Sequence, residues 1–218
     1  MFHGPNSKMP RSSPIRWCPP AVAGSPAERG RATAASLAKV LRERGLDELP
    51  FSPDGIAGRL LLVNAPWWKR WFSSDPDDRS VRLRIEPGFF AGLQDRGRPI
   101  IAQAEWRRAE DCLVGRFEPR MGVERVRFAK AHLLGHMALG HLREGLFEID
   151  TDFPVHTDRP KDQSANAFAA ELLAPEAHIR SALSLGYSIE KTAKVFAVSP
   201  GVITGQLQWM GVLSNPRS

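Results

Sequence analysis

The order of residue patterns along the chain predicts an α+β domain. A helix-spaced apolar repeat lies at residues 32–45, three β-like runs follow between 80 and 117, and from 123 onward the patterns are helical. Helix, then sheet, then helices is the arrangement of segregated α and β structure around one core. A chain of 218 residues is long enough to bury such a core, and it contains no internal repeat.

The first 30 residues are rich in Pro, Ser, Gly and Arg and lack an apolar signal core, so they read as a disordered basic tail. In ATAASLAKVLRERG, Leu37, Val40 and Leu41 share one helical face and Gly45 is a natural stop. The cluster WWKRWF, with Trp67, Trp68, Trp71 and Phe72, reads as a cover for a core, with a partner or membrane-interface patch as the alternative. SVRLRIEP alternates with Val81, Leu83 and Ile85 on one face. With PIIAQAEW and CLVGRF it predicts a small antiparallel sheet. The helical stretches are VERVRFAKAHLLGHMALGHL, AFAAELLAP, PEAHIRSALSLG, SIEKTAKVFAV and PGVITGQLQWMG.

Composition narrows the function only slightly. A net charge of +6 and a pI of about 9.8 permit an acidic or nucleic-acid partner without requiring one. Cys18 and Cys112 form no zinc or redox spacing and suggest no disulfide framework, and no apolar stretch approaches the ~20 residues of a membrane span. The expectation is a cytoplasmic protein with no membrane contact.

The chemistry concentrates in HLLGH. His132 and His136 are four apart, so their imidazoles leave one helical face one turn apart, the spacing that grips a zinc ion. Two histidines also fit a pair packed in a core, and a further ligand from a later helix decides between the readings. His141 falls nine positions after His132, where a metzincin-like third ligand needs ten. Position 133, the glutamate of H-E-x-x-H, holds Leu133.

RFAKAHLLGHMALGH and DQSANAFAAELLAP together resemble the ImmA/IrrE-type metallopeptidases, whose members typically read RFTLAHELGHLLLH and then E-x-x-A-N-x-F-A-x-x-L-L-x-P. SIEKTAKVFAVSPGVITGQLQWMGVL is similar to that family's closing segment, so the likeness spans residues 112–213. The resemblance implies a zincin-like minimal metallopeptidase core over residues 31–183, with a helix-turn-helix-like helical segment over 184–218 packed on it. It also implies zinc ligands at His132, His136 and Asp162. Asp162 is one methylene shorter than the family's glutamate, and its alternative role is a helix-start residue favoured by the dipole. Asn166 would steady the ligands from behind. Glu171 reads as an exposed or paired helix residue.

The same resemblance implies a bacterial protein tied to phage, mobile-element or stress regulation that binds or cleaves a repressor-like protein. With Leu133 in the general-base position there is no catalytic residue to carry over, so the expectation is a zinc-binding pseudo-enzyme that acts by binding a partner. Two alternatives stay open: an active zinc metallopeptidase, and a DNA-binding or antitoxin-like interaction protein with no metal. For the last, Ala193 and Val195 would face inward before a Val198-Ser199-Pro200 turn. The second helix would then offer only Gln206 and Gln208 to bases.

Overall fold

A computed structural model of the chain describes residues 13–46, 50–63, 80–90, 92–95, 98–107, 110, 112–142, 147–150 and 159–214. The Trp67, Trp68 and Trp71 cluster lies outside them. Among the described residues a seven-stranded sheet is covered by helices, and the fold is α+β. The strands are β1 (Ile15–Trp17), β2 (Leu60–Val63), β3 (Ser80–Pro87), β4 (Gln94–Asp95), β5 (Arg98–Arg107), β6 (Cys112–Phe117) and β7 (Phe147–Asp150). Their order is β1-β2-β3-β6-β5, and β4 and β7 share the outer edge of β5.

The sheet is mixed, not antiparallel as expected. β5 lies beyond β6 and pairs with it antiparallel, so β6 returns alongside β3 in the same direction, with Leu83 opposite Leu113 and Ile85 opposite Gly115. β1 and β2 are also parallel. The alternation in β3 holds: Val81 and Leu83 are buried, and Arg82 and Arg84 face out. On that outer side Arg84, Arg107 and Arg116 pair with Glu86, Glu105 and Glu110. Such exposed pairs stabilise by only ~0–1 kcal/mol each, but they neutralise part of the basic charge of this face.

The expected disordered tail is corrected from residue 13 onward. Ile15 and Trp17 are buried in β1, and Ser25 caps helix α1 (Pro26–Glu43), which crosses the expected boundary at residue 30. The local signal is S-P-A-E. Ser25 Oγ accepts from the Glu28 amide at 3.3 Å, Glu28 Oε2 accepts from the Ser25 amide at 2.7 Å, and proline occupies the first turn. Averaging composition over 30 residues hides both this capping box and the alternation of Ile-Arg-Trp.

The remaining helices are α2 (Pro53–Ala57), α3 (Val123–Ala138), α4 (Pro160–Leu173), α5 (Glu176–Ser184), α6 (Ile189–Phe196) and α7 (Pro200–Trp209). One core, including Leu37, Leu62, Leu113, Leu133 and Met137, lies between the sheet and α1 and α3. A second, including Ala131, Leu173, Ile179, Phe196 and Ile203, joins α3 and α4 to the C-terminal helices. In α6, Thr192, Ala193 and Phe196 form the buried stripe, which turns Val195 to solvent, contrary to its expected inward position. No helix among the described residues is long and apolar enough to cross a membrane.

Helix α4 is wedged between α1 and α3 at backbone distance. A Cβ at Gly135 of α3 would lie 3.2 Å from the Cα and carbonyl oxygen of Ala165, and a Cβ at Gly30 of α1 would collide with the Ser164 carbonyl. Alanine in a helix interior is otherwise favoured over glycine by ~1 kcal/mol. Gly30→Ala is therefore expected to lower stability, by roughly 1–3 kcal/mol, because the rigid backbone opposite cannot yield. Denaturant unfolding checks this, and a variant as stable as the parent would contradict the close approach.

Candidate metal centre

Helix α3 is deeply buried in its C-terminal half. Every residue from 131 to 138 is buried, so its two histidines do not face water. The i, i+4 spacing stacks the rings of His132 and His136 with centroids 4.5 Å apart and their Nε2 atoms 2.8 Å apart. Gly135, between them in sequence, lets α4 approach, and this brings the first turn of α4 opposite the rings. There Asp162 places Oδ1 3.6 Å from His136 Nε2, while Oδ2 lies 3.7 Å from Arg159 Nη1. One ligand atom each from His132, His136 and Asp162 lies within 4.8 Å of the other two.

These donors fit a divalent cation of the zinc class. Two imidazole nitrogens and a carboxylate oxygen are a recurrent zinc donor set at ~2.0–2.2 Å, leaving a fourth position open. Tetrahedral ligands at those lengths stand about 3.3 Å apart, close to the 2.8 and 3.6 Å seen between these atoms. The dipole role of Asp162 is compatible with this placement, since it lies in the first turn of α4 and no side chain caps that helix. Asn166 lies one turn further along α4, where its side chain favours the charged form of the His132 ring.

His141 is the residue that the spacing argument set aside. It does not belong to the histidine face of α3, yet its Nδ1 lies 3.0 Å from His136 Nδ1. The helix ends in a Schellman turn: Gly140 adopts a left-handed φ of 67°, its amide donates to the Met137 carbonyl, and the His141 amide donates to the His136 carbonyl. That turn folds His141 back onto the ring one turn earlier. The signal in the sequence is the Leu-Gly-His that closes the helix.

Leu133 is fully buried on the other side of α3, within the core against the sheet. Its Cβ would lie 3.3 Å from a Cβ built on Gly115 of β6. Glu171 is paired, as expected: Oε2 accepts from Arg31 Nη1 at 3.0 Å and from Gln206 Nε2 at 3.2 Å. Gln206, a candidate base reader in the sequence, is therefore committed inside the protein and also donates to the Ala174 carbonyl at 2.8 Å.

The model of the IrrE N-terminal-like domain, Peptidase_M78, matches residues 118–207, from the end of β6 into α7. Over these residues the chain is similar to that family. No curated protein matches the chain. Within the IrrE-like segment lie the three donors, Asn166 and His141, so the metallopeptidase-type fold and the candidate site coincide.

Burial governs the charge of the cluster. It pushes His132 and His141 down to about 3, the first opposed by the Asn166 side chain and the second reinforced by the nearby Lys161 charge. His136 is driven well below the ordinary imidazole value, by burial first and then by its histidine neighbours. All three rings are neutral at pH 7, the form in which imidazole ligates a metal. In the unfolded chain they take up protons near pH 6.5. The unfolded state then binds more protons than the folded one, so stability is full above pH 6.5 and is lost as pH falls toward 3. Each ring contributes up to about 1.4 kcal/mol per pH unit, and metal ligation leaves the sign unchanged. Urea unfolding at pH 7.5 and 5.5 should show a clear loss at the lower pH; equal stability would show that these rings are not held neutral.

Proposed function

We propose that the chain is a zinc-binding, catalytically impaired IrrE-like protein that acts by binding a partner protein. His132 Nε2, His136 Nε2 and an Asp162 oxygen hold the metal. The observation that carries this reading is a division across α3. One face converges two neutral imidazoles and a carboxylate, while the residue in the general-base position points into the sheet core.

Bound zinc supplies a Lewis acid and lowers the pKa of a coordinated water to about 7. Peptide hydrolysis also needs a group to take a proton from that water and return it to the leaving amine, a role typically contributing ~10²–10⁴-fold. Leu133 has no proton to move. Asp162 is occupied as a donor and Glu171 is held by Arg31 and Gln206. The site is thus suited to hold a metal and order the α3–α4 junction, and poorly suited to turnover.

Similarity to the IrrE-like family over this segment supports a cytoplasmic bacterial protein in phage, mobile-element or stress regulation, with a repressor-like protein as the partner. A DNA-reading role draws less support, because Gln206 is used internally and Arg84, Arg107 and Arg116 are paired on the sheet.

Elemental analysis of dialysed protein tests the metal. One equivalent of zinc is expected in the parent and none in His136→Ala; no zinc in either sinks the reading. Leu133→Glu tests the placement of the missing base. A carboxylate in this core is expected to lower stability by more than about 3 kcal/mol at pH 7, with partial recovery at pH 5 as the buried group takes a proton. A well-folded variant that gains proteolysis would instead put position 133 in the site.

A further inference from the structure

We propose that His141, oriented by Ser164, is a positioning residue that fixes the proton of His136 on Nδ1 and keeps its Nε2 as a lone pair toward His132 and Asp162. The functional consequence rests on the metal-centre reading above; the proton arrangement itself does not.

One chain of hydrogen bonds places the proton. Ser164 is fully buried in the first turn and a half of α4, with Oγ 3.0 Å from the Pro160 carbonyl and 2.9 Å from the Lys161 carbonyl. A hydroxyl has one proton, and those carbonyls can only accept it. Toward His141 Nε2, at 3.3 Å, Ser164 Oγ therefore acts as the acceptor, and that nitrogen carries the His141 proton. A neutral imidazole with its proton on Nε2 presents a lone pair at Nδ1. Because His136 Nδ1 lies 3.0 Å from it, His136 must donate there. In the neutral tautomer that donates from Nδ1, His136 Nε2 carries a lone pair, 2.8 Å from His132 Nε2 and 3.6 Å from Asp162 Oδ1.

A bare nitrogen beside a carboxylate is a poor arrangement by itself and a good one around a cation. Metal-ligating histidines ordinarily donate their second ring N–H to a carboxylate, a carbonyl or water, and loss of that partner typically costs 10–100-fold in metal affinity. Here a third histidine does that work. The Schellman turn at Gly140 fixes its backbone, and Lys161 Nζ, donating to the His141 carbonyl at 3.2 Å, ties the same turn to α4.

Long-range proton–nitrogen NMR of full-length protein labelled with ¹⁵N-histidine reads the tautomer, and zinc competition with a chromophoric chelator reads affinity. The parent should show His136 protonated on Nδ1. In His141→Ala the His136 proton should move to Nε2 in part or whole, and zinc affinity should fall ~10–100-fold. His141→Gln, whose carbonyl can accept the same proton, should recover most of both. Ser164→Ala keeps the imidazole but frees its tautomer and should give an intermediate loss; it decides the matter if His141→Ala does not fold. A parent with His136 protonated on Nε2, or a His141→Ala protein with unchanged tautomer and affinity, overturns the inference. If the parent takes no zinc, the metal-centre reading fails, while the His136 tautomer in parent and variant still decides this one.

Discussion

The close packing of α4 against its two neighbours is the constraint on which the rest of the site depends. Gly135 and Gly30 remove the side chains that would hold α3 and α1 away, so the α4 backbone lies against both. Only at that separation can a side chain as short as Asp162 come within 4.8 Å of two imidazole nitrogens on another helix. The missing methylene relative to glutamate is thus offset by backbone proximity, and Ser164 reaches His141 from the same turn. The cluster is assembled by small residues at the crossing, and its chemistry is supplied by the residues beside them.

The two sides of α3 differ sharply in character. The face toward α4 is polar, with imidazoles that stay neutral because water is excluded. The face toward the sheet is apolar, with Leu133 and Met137 crowding Gly115. Leucine at position 133 adds to the core that presses α3 onto β6, and so helps hold the two histidines in register. A charged residue there would weaken the packing that positions the ligands.

Legibility in the sequence followed range. The placement of His132 and His136 on one face was readable because a helix has a fixed period, whereas Asp162 and Asn166 came into view only through the family-like motif that links the two helices. The Ser25 cap was equally local but was lost in a compositional average. The parallel pairing of β3 with β6 was not readable, since nothing in either strand records that β5 lies on the far side. The contact of His141 with His136 was not readable from the metzincin-like count of nine positions, because Gly140, a left-handed residue, ends the helix and resets the geometry. Whether Val195 points in or out depends on which stripe of a short helix finds a partner, and that is a tertiary choice.

The C-terminal helices help to fix the helix that carries Asp162. Glu171, near the end of α4, receives Arg31 from α1, Gln206 from α7 and the backbone amide of Glu176 at the start of α5. Arg31 in turn lies 4.5 Å from the ring of Trp209 at the end of α7. This half-buried network clamps the far end of α4 while the glycines set its near end. A helix fixed at both ends holds Asp162 and Ser164 with little freedom to swing. The segment that resembles a DNA reader is therefore better understood as a brace of α4: Gln206, one of the two glutamines that could meet a base, meets Glu171 instead, and Arg31, beside Trp209 of α7, pairs with the same carboxylate.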